Sequence, residues 1–273
     1  MKLASVTVLY NTNLDELKVN LDSYANRVDL LVLWDNSVVP LDLRWVTHHW
    51  SKAILVQHGR NVGLGEAYNQ AIEIARQHNC THLMTMDQDT AFLDFVKFRS
   101  WAETQPDNIL HCQVGGYHNT DNETETMNVW CQSATIFSLA MLDKIGHFRA
   151  DYFIGMVDAE IGLRAAHKGY CVMQYNGTDA KHNLSEPITQ KIMGHSVFLY
   201  NYPPFRHYYE SRNRILIAKD YPDDFDRHYI RSFLLNRIRL IVKVTLFEKK
   251  RFRKVSAIIS GSYQGLRERA KPF

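Results

Sequence analysis

Apolar positions in this chain fall into short blocks that alternate between strand and helix spacing. Residues 3–9 (LASVTVL) form a mostly apolar run of strand length and predict a buried strand. The Asn- and Asp-rich turn after it predicts a helix from Leu14 to about Arg27. LLVLWDNS closes a second strand at about Trp34, AILVQH (53–58) is a third and HLMTM (82–86) a fourth. GLGEAYNQAIEIARQ (63–77) puts Ala67, Ala71 and Ile74 on one helical side, and FLDFVKFRSWAE (92–103) predicts another helix. Strands and helices in alternation imply an α/β fold, a largely parallel sheet flanked by helices. The second half differs. ILHCQVGGYH, TMNVWCQSATIFS and CVMQYNG predict further strands, and AMLDKIGHF a short helix closed near Gly146. DAEIGLRAAHKGY (158–170) reads as an amphipathic helix capped by Asp158 and stopped by Gly169. From Pro203 onward the pattern turns helical and basic.

Open α/β sheets bind ligands beyond the carboxyl ends of their strands. Three polar clusters sit at those ends: Tyr10-Asn11, Asp35-Asn36-Ser37 and Asp87-Gln88-Asp89. Asp87 and Asp89 project to one side of an extended chain and repel each other unless a cation lies between them. The pair reads either as a solvated turn or as a clamp for a hard divalent ion that also takes phosphate oxygens. In HGRNVGLGEAYNQAI (58–72), Gly63 and Gly65 permit close backbone approach at a helix start that attracts anions. Asn61 and Asn69 offer hydrogen bonds to a sugar or phosphate, and an ordinary strand–helix turn is the plain alternative. Asp158 reads as a helix cap or as a general base, and Glu160 with Arg164 as a surface pair four residues apart.

Composition narrows the classes. The 273 residues are 45% hydrophobic with a net charge of only +3, which excludes a disordered chain or a polyelectrolyte. The four cysteines form no CxxC pair and read as small buried residues of a reducing compartment. MKLASVTVLYN enters a strand directly, without the features of a signal peptide, and no apolar stretch is long enough to cross a bilayer. The expected location is therefore cytoplasmic. The charge is uneven, however. RSFLLNRIRLIVKVTLFEKKRFRKV (231–255) mixes large apolar residues with Arg and Lys, and Glu248 is its only acid. Such a stretch lies peripherally on an anionic membrane, packs as an appendage or makes a dimer contact. No nucleic-acid-binding module accompanies the charge.

Taken in order, LVLWDNS, NVGLGEAYNQAI, MTMDQDT and SATIFSLAMLDKIGHFRADYFIGMVDAEIGLRAAHKGY resemble the blocks of family 2 glycosyltransferases across about residues 3–220. The Asp-Gln-Asp form, VDAE and YYESRNRI most resemble the bacterial rhamnosyltransferase branch. The resemblance implies a GT-A fold: a catalytic domain over 1–220, with a nucleotide-sugar half (1–110) and an acceptor half (111–220), and a helical extension over 221–273. It implies inverting transfer of L-rhamnose from dTDP-L-rhamnose to a glycan or lipid-linked glycan acceptor, with Mg²⁺ or Mn²⁺ as cofactor. Asp87 and Asp89 would hold the metal against the diphosphate, with His182 of DAKHNLSEP as a further metal or diphosphate contact. Asn11, Asp35, Asn36, Asn61, Gly63 and Asn69 would line the donor pocket. Asp158 would be the base and Glu160 its substrate-binding neighbour, and Arg212 and Arg214 would meet phosphates. Two positions depart from the family pattern. Val157 stands where an acidic residue is common, and Ile161 where an aromatic is. A UDP- or GDP-sugar donor leaves the mechanism intact, and a non-catalytic glycan-binding protein remains a different class. A nucleotidyltransferase would need a Gly-rich basic loop after the first strand, where this chain has YNTNLDEL.

Overall fold

A computed structural model describes residues 1–116, 122–128, 130–182, 188–192, 195–199, 201–225 and 227–271, with the backbone alone for 188–192, 195–199, 227–231 and 234. The first half runs β1 (Leu3–Leu9), α1 (Leu14–Asp22), β2 (Leu30–Asp35), α2 (Arg44–His49), β3 (Ala53–Gln57), α3 (Leu64–Gln77), β4 (His82–Asp87), β5 (Thr90–Phe92) and α4 (Phe95–Ala102). The second half runs β6 (Ile109–Val114), β7 (Thr124–Met127), β8 (Thr135–Ser138), α5 (Leu139–Ile145), α6 (Val157–His167), β9 (Val172–His182), β10 (Ile188–Ile192), β11 (His195–Leu199), α7 (Pro204–Asp220), α8 (Arg227–Phe247) and α9 (Arg251–Arg267).

Nine strands form one sheet in the order β3-β2-β1-β4-β8-β6-β9-β5, with β7 paired to β9. The four leading strands are mutually parallel, as the alternating pattern implied. Strands β1 and β2 are apolar almost throughout because both sheet faces are covered there, and each is buried along its whole length, while β3 at the edge is partly buried. Strand β8 then runs antiparallel to β4 and β6, and β9 parallel to β6. Register sets the polar edge. Leu9 pairs with Asp35 and Val8 with Asp87, so the three polar clusters leave the sheet side by side.

Several boundaries differ from the sequence expectation for local reasons. The first helix stops at Asp22, and a short 3₁₀ turn occupies Ala25–Arg27. Thr90–Phe92 is a strand, because it pairs antiparallel with β9. The next helix starts only after Asp94, whose carboxylate accepts from the Lys97 amide at 3.0 Å. TMNVWCQSATIFS begins on the last two residues of β7 and ends with β8. Helix α2 and the β10–β11 hairpin were not expected.

The chain divides into two compact units, Met1–Phe153 with Val157–Leu184, and Ile154–Met156 with Ser185–Phe273. The first holds the sheet. In the second, α9 packs on α7 through Gly261 and Gly265, where any added Cβ would strike the backbone carbonyls of Tyr208 and Arg212. Lys254 is 3% exposed and holds Glu248 at 2.6 Å, so the acid of the basic stretch is neutralised internally. Among the described residues no helix is long and apolar enough to cross a membrane.

Candidate functional site

Strand β4 ends at Asp87, the chain turns through Gln88 and Asp89, and β5 begins at Thr90. The register of β5 against β9 places Thr90 opposite His182, which brings a histidine from 92 residues away to the turn. Ligand atoms of Asp87, Asp89 and His182 lie within 4.8 Å of one another. His182 Nδ1 is 3.5 Å from Asp89 Oδ1 and 2.6 Å from the Thr90 hydroxyl. Ser133 Oγ accepts from the Asp87 amide at 3.0 Å and donates to Thr90 Oγ1 at 2.8 Å. A chain of hydrogen bonds thus fixes both the strand end and the imidazole. Polar partners of this kind orient metal ligands. Two carboxylates and one imidazole suit Mn²⁺, and the carboxylates alone suit Mg²⁺. Gln88 faces the other way. Its amide accepts from Tyr10 N at 2.8 Å and donates to Tyr10 O at 3.4 Å, while its carbonyl accepts from Asn20 Nδ2 at 2.9 Å.

The NVGLGEAYN block is a clasp. Gly63 has φ +86°, and a Cβ there would stand 2.7 Å from the carbonyl oxygen of Phe153. At Gly65 a Cβ would stand 2.5 Å from the Arg149 carbonyl. The close approach that glycine permits is therefore taken by the protein's own 149–153 backbone, and Leu64 N donates to Phe153 O at 2.6 Å. Asn69 completes the clasp. Its Nδ2 donates to Phe148 O and its Oδ1 accepts from Phe148 N, both at 2.9 Å. Asn61 Oδ1 accepts from Gly63 N, closing the turn. Asn36, 3% exposed, accepts from Trp34 Nε1 and Val62 N and donates to Gly63 O.

Several residues expected at the donor have partners inside the protein. Asp35 is buried, and its two oxygens accept from the Ser37 amide, the Leu41 amide and Gln57 Nε2. It anchors the 36–41 loop. Asn11 is exposed, has φ +47° and ties its amide to Ser37 Oγ at 2.9 Å. Arg212 is gripped by both oxygens of Glu268 at 2.9 and 2.8 Å, and Arg214 by Glu210 one turn earlier. Arg212 Nη1 also donates to Asn213 Oδ1 at 3.2 Å, so both guanidinium groups have partners within the helical unit. Glu160 is fully buried and grips Arg164 through two bonds of 3.0 and 2.8 Å. The expected surface pair is an internal one, and Glu160 braces α6.

Asp158 lies inside the first turn of α6, which starts at Val157, so it is not the residue before the helix. Its Oδ1 accepts from the Ala159 amide at 2.8 Å. The approach to it is conformationally unusual, with positive φ at Phe153, Gly155 and Met156. The clasp at α3 holds the near end of this approach. Asp158 also shares an electrostatic neighbourhood with Asp87. Burial foremost, and then the charges of Asp87 and Asp158, push the Cys131 thiol up to about 12. The same order of causes raises the Tyr68 phenol well above its ordinary range. Tyr68 was missed in the sequence, where an aromatic at helical spacing reads as core. It is fully buried against Phe148, and its hydroxyl has no hydrogen-bond partner. That leaves a protonated donor within the fields of two acidic side chains.

No family model and no curated protein matches the chain. Solved structures do match. The crystal structure of S. aureus TarS is 13% identical, with a TM-score of 0.54 over 98% of this chain and 44% of that one. GalNAc-T7 with UDP, GalNAc and Mn²⁺ is 11% identical, with a TM-score of 0.59 over 86% of this chain and 54% of that one. The mannosyltransferase PcManGT of Pyrobaculum calidifontis, in complex with GDP-Man and Mn²⁺, is 12% identical, with a TM-score of 0.57 over 95% and 73%. The chain spans about half the length of the first two. Their shared architecture is a curled sheet, parallel in its leading strands and flanked by helices, and on that likeness this chain has the GT-A fold.

Proposed function

We propose that the protein is an inverting, metal-dependent glycosyltransferase that moves a sugar from a nucleotide donor to a hydroxyl of a bacterial surface glycan. The observation that carries this reading is the convergence of Asp87, Asp89 and His182 at the carboxyl edge of the parallel strands. Asp87, Asp89 and His182 would hold Mn²⁺ or Mg²⁺, which, when bound, neutralises charge on a diphosphate leaving group. Asp158, at the start of α6, takes the proton of the acceptor hydroxyl. A single base set opposite the leaving group gives direct displacement with inversion. Glu160 and Asn69 act indirectly by holding α6 and its approach.

On the resemblance of MTMDQDT and YYESRNRI, the donor is dTDP-L-rhamnose and the acceptor a glycan or lipid-linked glycan. A UDP- or GDP-sugar donor is the second reading. It is favoured by structural neighbours that hold UDP-GlcNAc and GDP-Man. Calorimetric titration with dTDP-rhamnose, dTDP-glucose, UDP-glucose, UDP-galactose and GDP-mannose, each with Mn²⁺, Mg²⁺ or EDTA, separates the two. Metal-dependent preference for dTDP-rhamnose is the expected result. Preference for UDP or GDP sugars replaces the donor, and metal-independent binding removes the clamp. Asp158→Asn is expected to abolish transfer while sparing donor affinity.

A further inference from the structure

The basic stretch read from the sequence as 231–255 covers most of α8 and the first turn of α9, joined through a turn in which Lys250 adopts φ +54°. Among the described residues fourteen large apolar side chains are exposed, and eight of them lie on these helices. Their spacing is not scattered. Leu235, Ile238, Val242 and Leu246 recur at intervals of three and four along α8. Phe252, Ile259, Tyr263 and Leu266 recur at seven, four and three along α9. At 100° per residue each set forms one narrow stripe. The α9 stripe lies opposite the face of Lys254, Ile258, Gly261 and Gly265, which is buried in the packing with α7. Packing within the helical unit therefore leaves it outside. Phe252 is 81% exposed, so a full aromatic ring stands in water.

Charge selects what covers these stripes. Arg239, Lys249, Lys250, Arg251, Arg253 and Arg267 are all exposed beside them. From 227 to 271 the sequence holds only two acids, Glu248 and Glu268. Glu248 is bound by buried Lys254, and Glu268 by Arg212. The outward field is therefore cationic. A second copy would set one cationic surface against another, which like-charge repulsion disfavours. A nucleic acid would pair with the cations but leave both apolar stripes wet. A bilayer with anionic headgroups satisfies both features at once, with apolar side chains at the acyl boundary and Lys and Arg at the phosphates. Arg267 stacks over the Tyr263 ring at 5.6 Å, an arrangement suited to the headgroup layer.

We propose that α8 and α9 form a peripheral membrane-docking surface for an anionic lipid bilayer, with α9 contributing as much of the contact as the basic stretch itself. The proposal rests on this surface alone and holds whichever sugar the enzyme transfers. The test is flotation of the full chain with vesicles of phosphatidylcholine, and with vesicles that also carry phosphatidylglycerol. Binding is expected to the second and not to the first, and to weaken in high salt. Ile238→Glu with Leu246→Glu, and separately Ile259→Glu with Leu266→Glu, should each weaken binding at least about tenfold. All four positions are exposed, so circular dichroism and metal-dependent donor affinity should be unchanged. No flotation of a folded sample with anionic vesicles overturns the proposal. So does undiminished flotation of the glutamate variants, or equal flotation with neutral vesicles. A concentration-dependent dimer in light scattering that these substitutions abolish would assign the stripes to a second copy instead. RNA binding that the substitutions leave intact, with no vesicle binding, would assign the charge to nucleic acid.

Discussion

Glu160→Gln is the substitution that separates the bracing role of this residue from a substrate-binding one. Both members of the Glu160–Arg164 pair are buried, at 0% and 1% exposure. Their two hydrogen bonds are short, and Arg164 Nη1 also donates to Ile145 O at 3.0 Å. Glutamine keeps the shape but removes the charge, leaving a guanidinium out of water without its carboxylate. Breaking one side of such a pair costs about 3–5 kcal/mol. For a unit of this size about 2–4 °C of melting temperature is lost per kcal/mol, so the transition should fall by about 6–20 °C in calorimetry. The double variant Glu160→Met with Arg164→Met removes both charges and keeps the volume, and should recover most of that loss. Donor affinity, measured below the lowered transition, should match the wild type, because both Glu160 oxygens are engaged by Arg164. A single variant that keeps its stability but loses donor affinity would refute this account and restore Glu160 as a substrate contact. A double variant no better than the single would show that the pair does not act as a unit.

Thr90→Val removes the hydroxyl 2.6 Å from His182 Nδ1 and should weaken manganese binding about 10–100-fold by titration calorimetry; unchanged binding would detach this network from the metal. Tyr68→Phe deletes a buried hydroxyl that has no partner, so its melting temperature should hold or rise; a lower melting temperature would reveal an internal partner. Cys131, whose thiol is pushed up to about 12 mainly by burial, should resist alkylation at neutral pH, as read by mass spectrometry, and react only as the pH approaches that value. His207 is lowered chiefly by burial, so its neutral form stabilises the fold above the ordinary histidine value of about 6.5 and that contribution is lost as pH falls below it. Melting of wild type and His207→Gln between neutral and mildly acidic pH should show a smaller acid loss in the variant.

Strands β1 and β2 were legible because each is a near-continuous apolar run of strand length, a pattern that burial on both sheet faces produces. The candidate metal cluster was legible for a similar reason. Asp87 and Asp89 break an apolar strand abruptly, and polar residues at such a point need an explanation. Partnerships were not legible. Glu160 and Arg164 have the same four-residue spacing whether solvent or protein surrounds them. Asn36, Asn61 and Asn69 offer the same amides to a sugar as to a backbone, and in the fold they serve the backbone. Helix α2 and the β10–β11 hairpin carried too little periodic signal for their length.

The clasp made by Gln88 changes how the Asp-Gln-Asp turn should behave under random mutagenesis. Its middle residue is commonly treated as a free letter between two ligands, yet here it must accept from one backbone amide and donate to the carbonyl of the same residue, Tyr10. Glutamate lacks the donor, asparagine lacks the reach, and leucine lacks both. A saturation library at position 88 would therefore look as restrictive as one at a ligand, although no charge is at stake. Selection acting on the join between two parallel strands would then be mistaken for selection on chemistry.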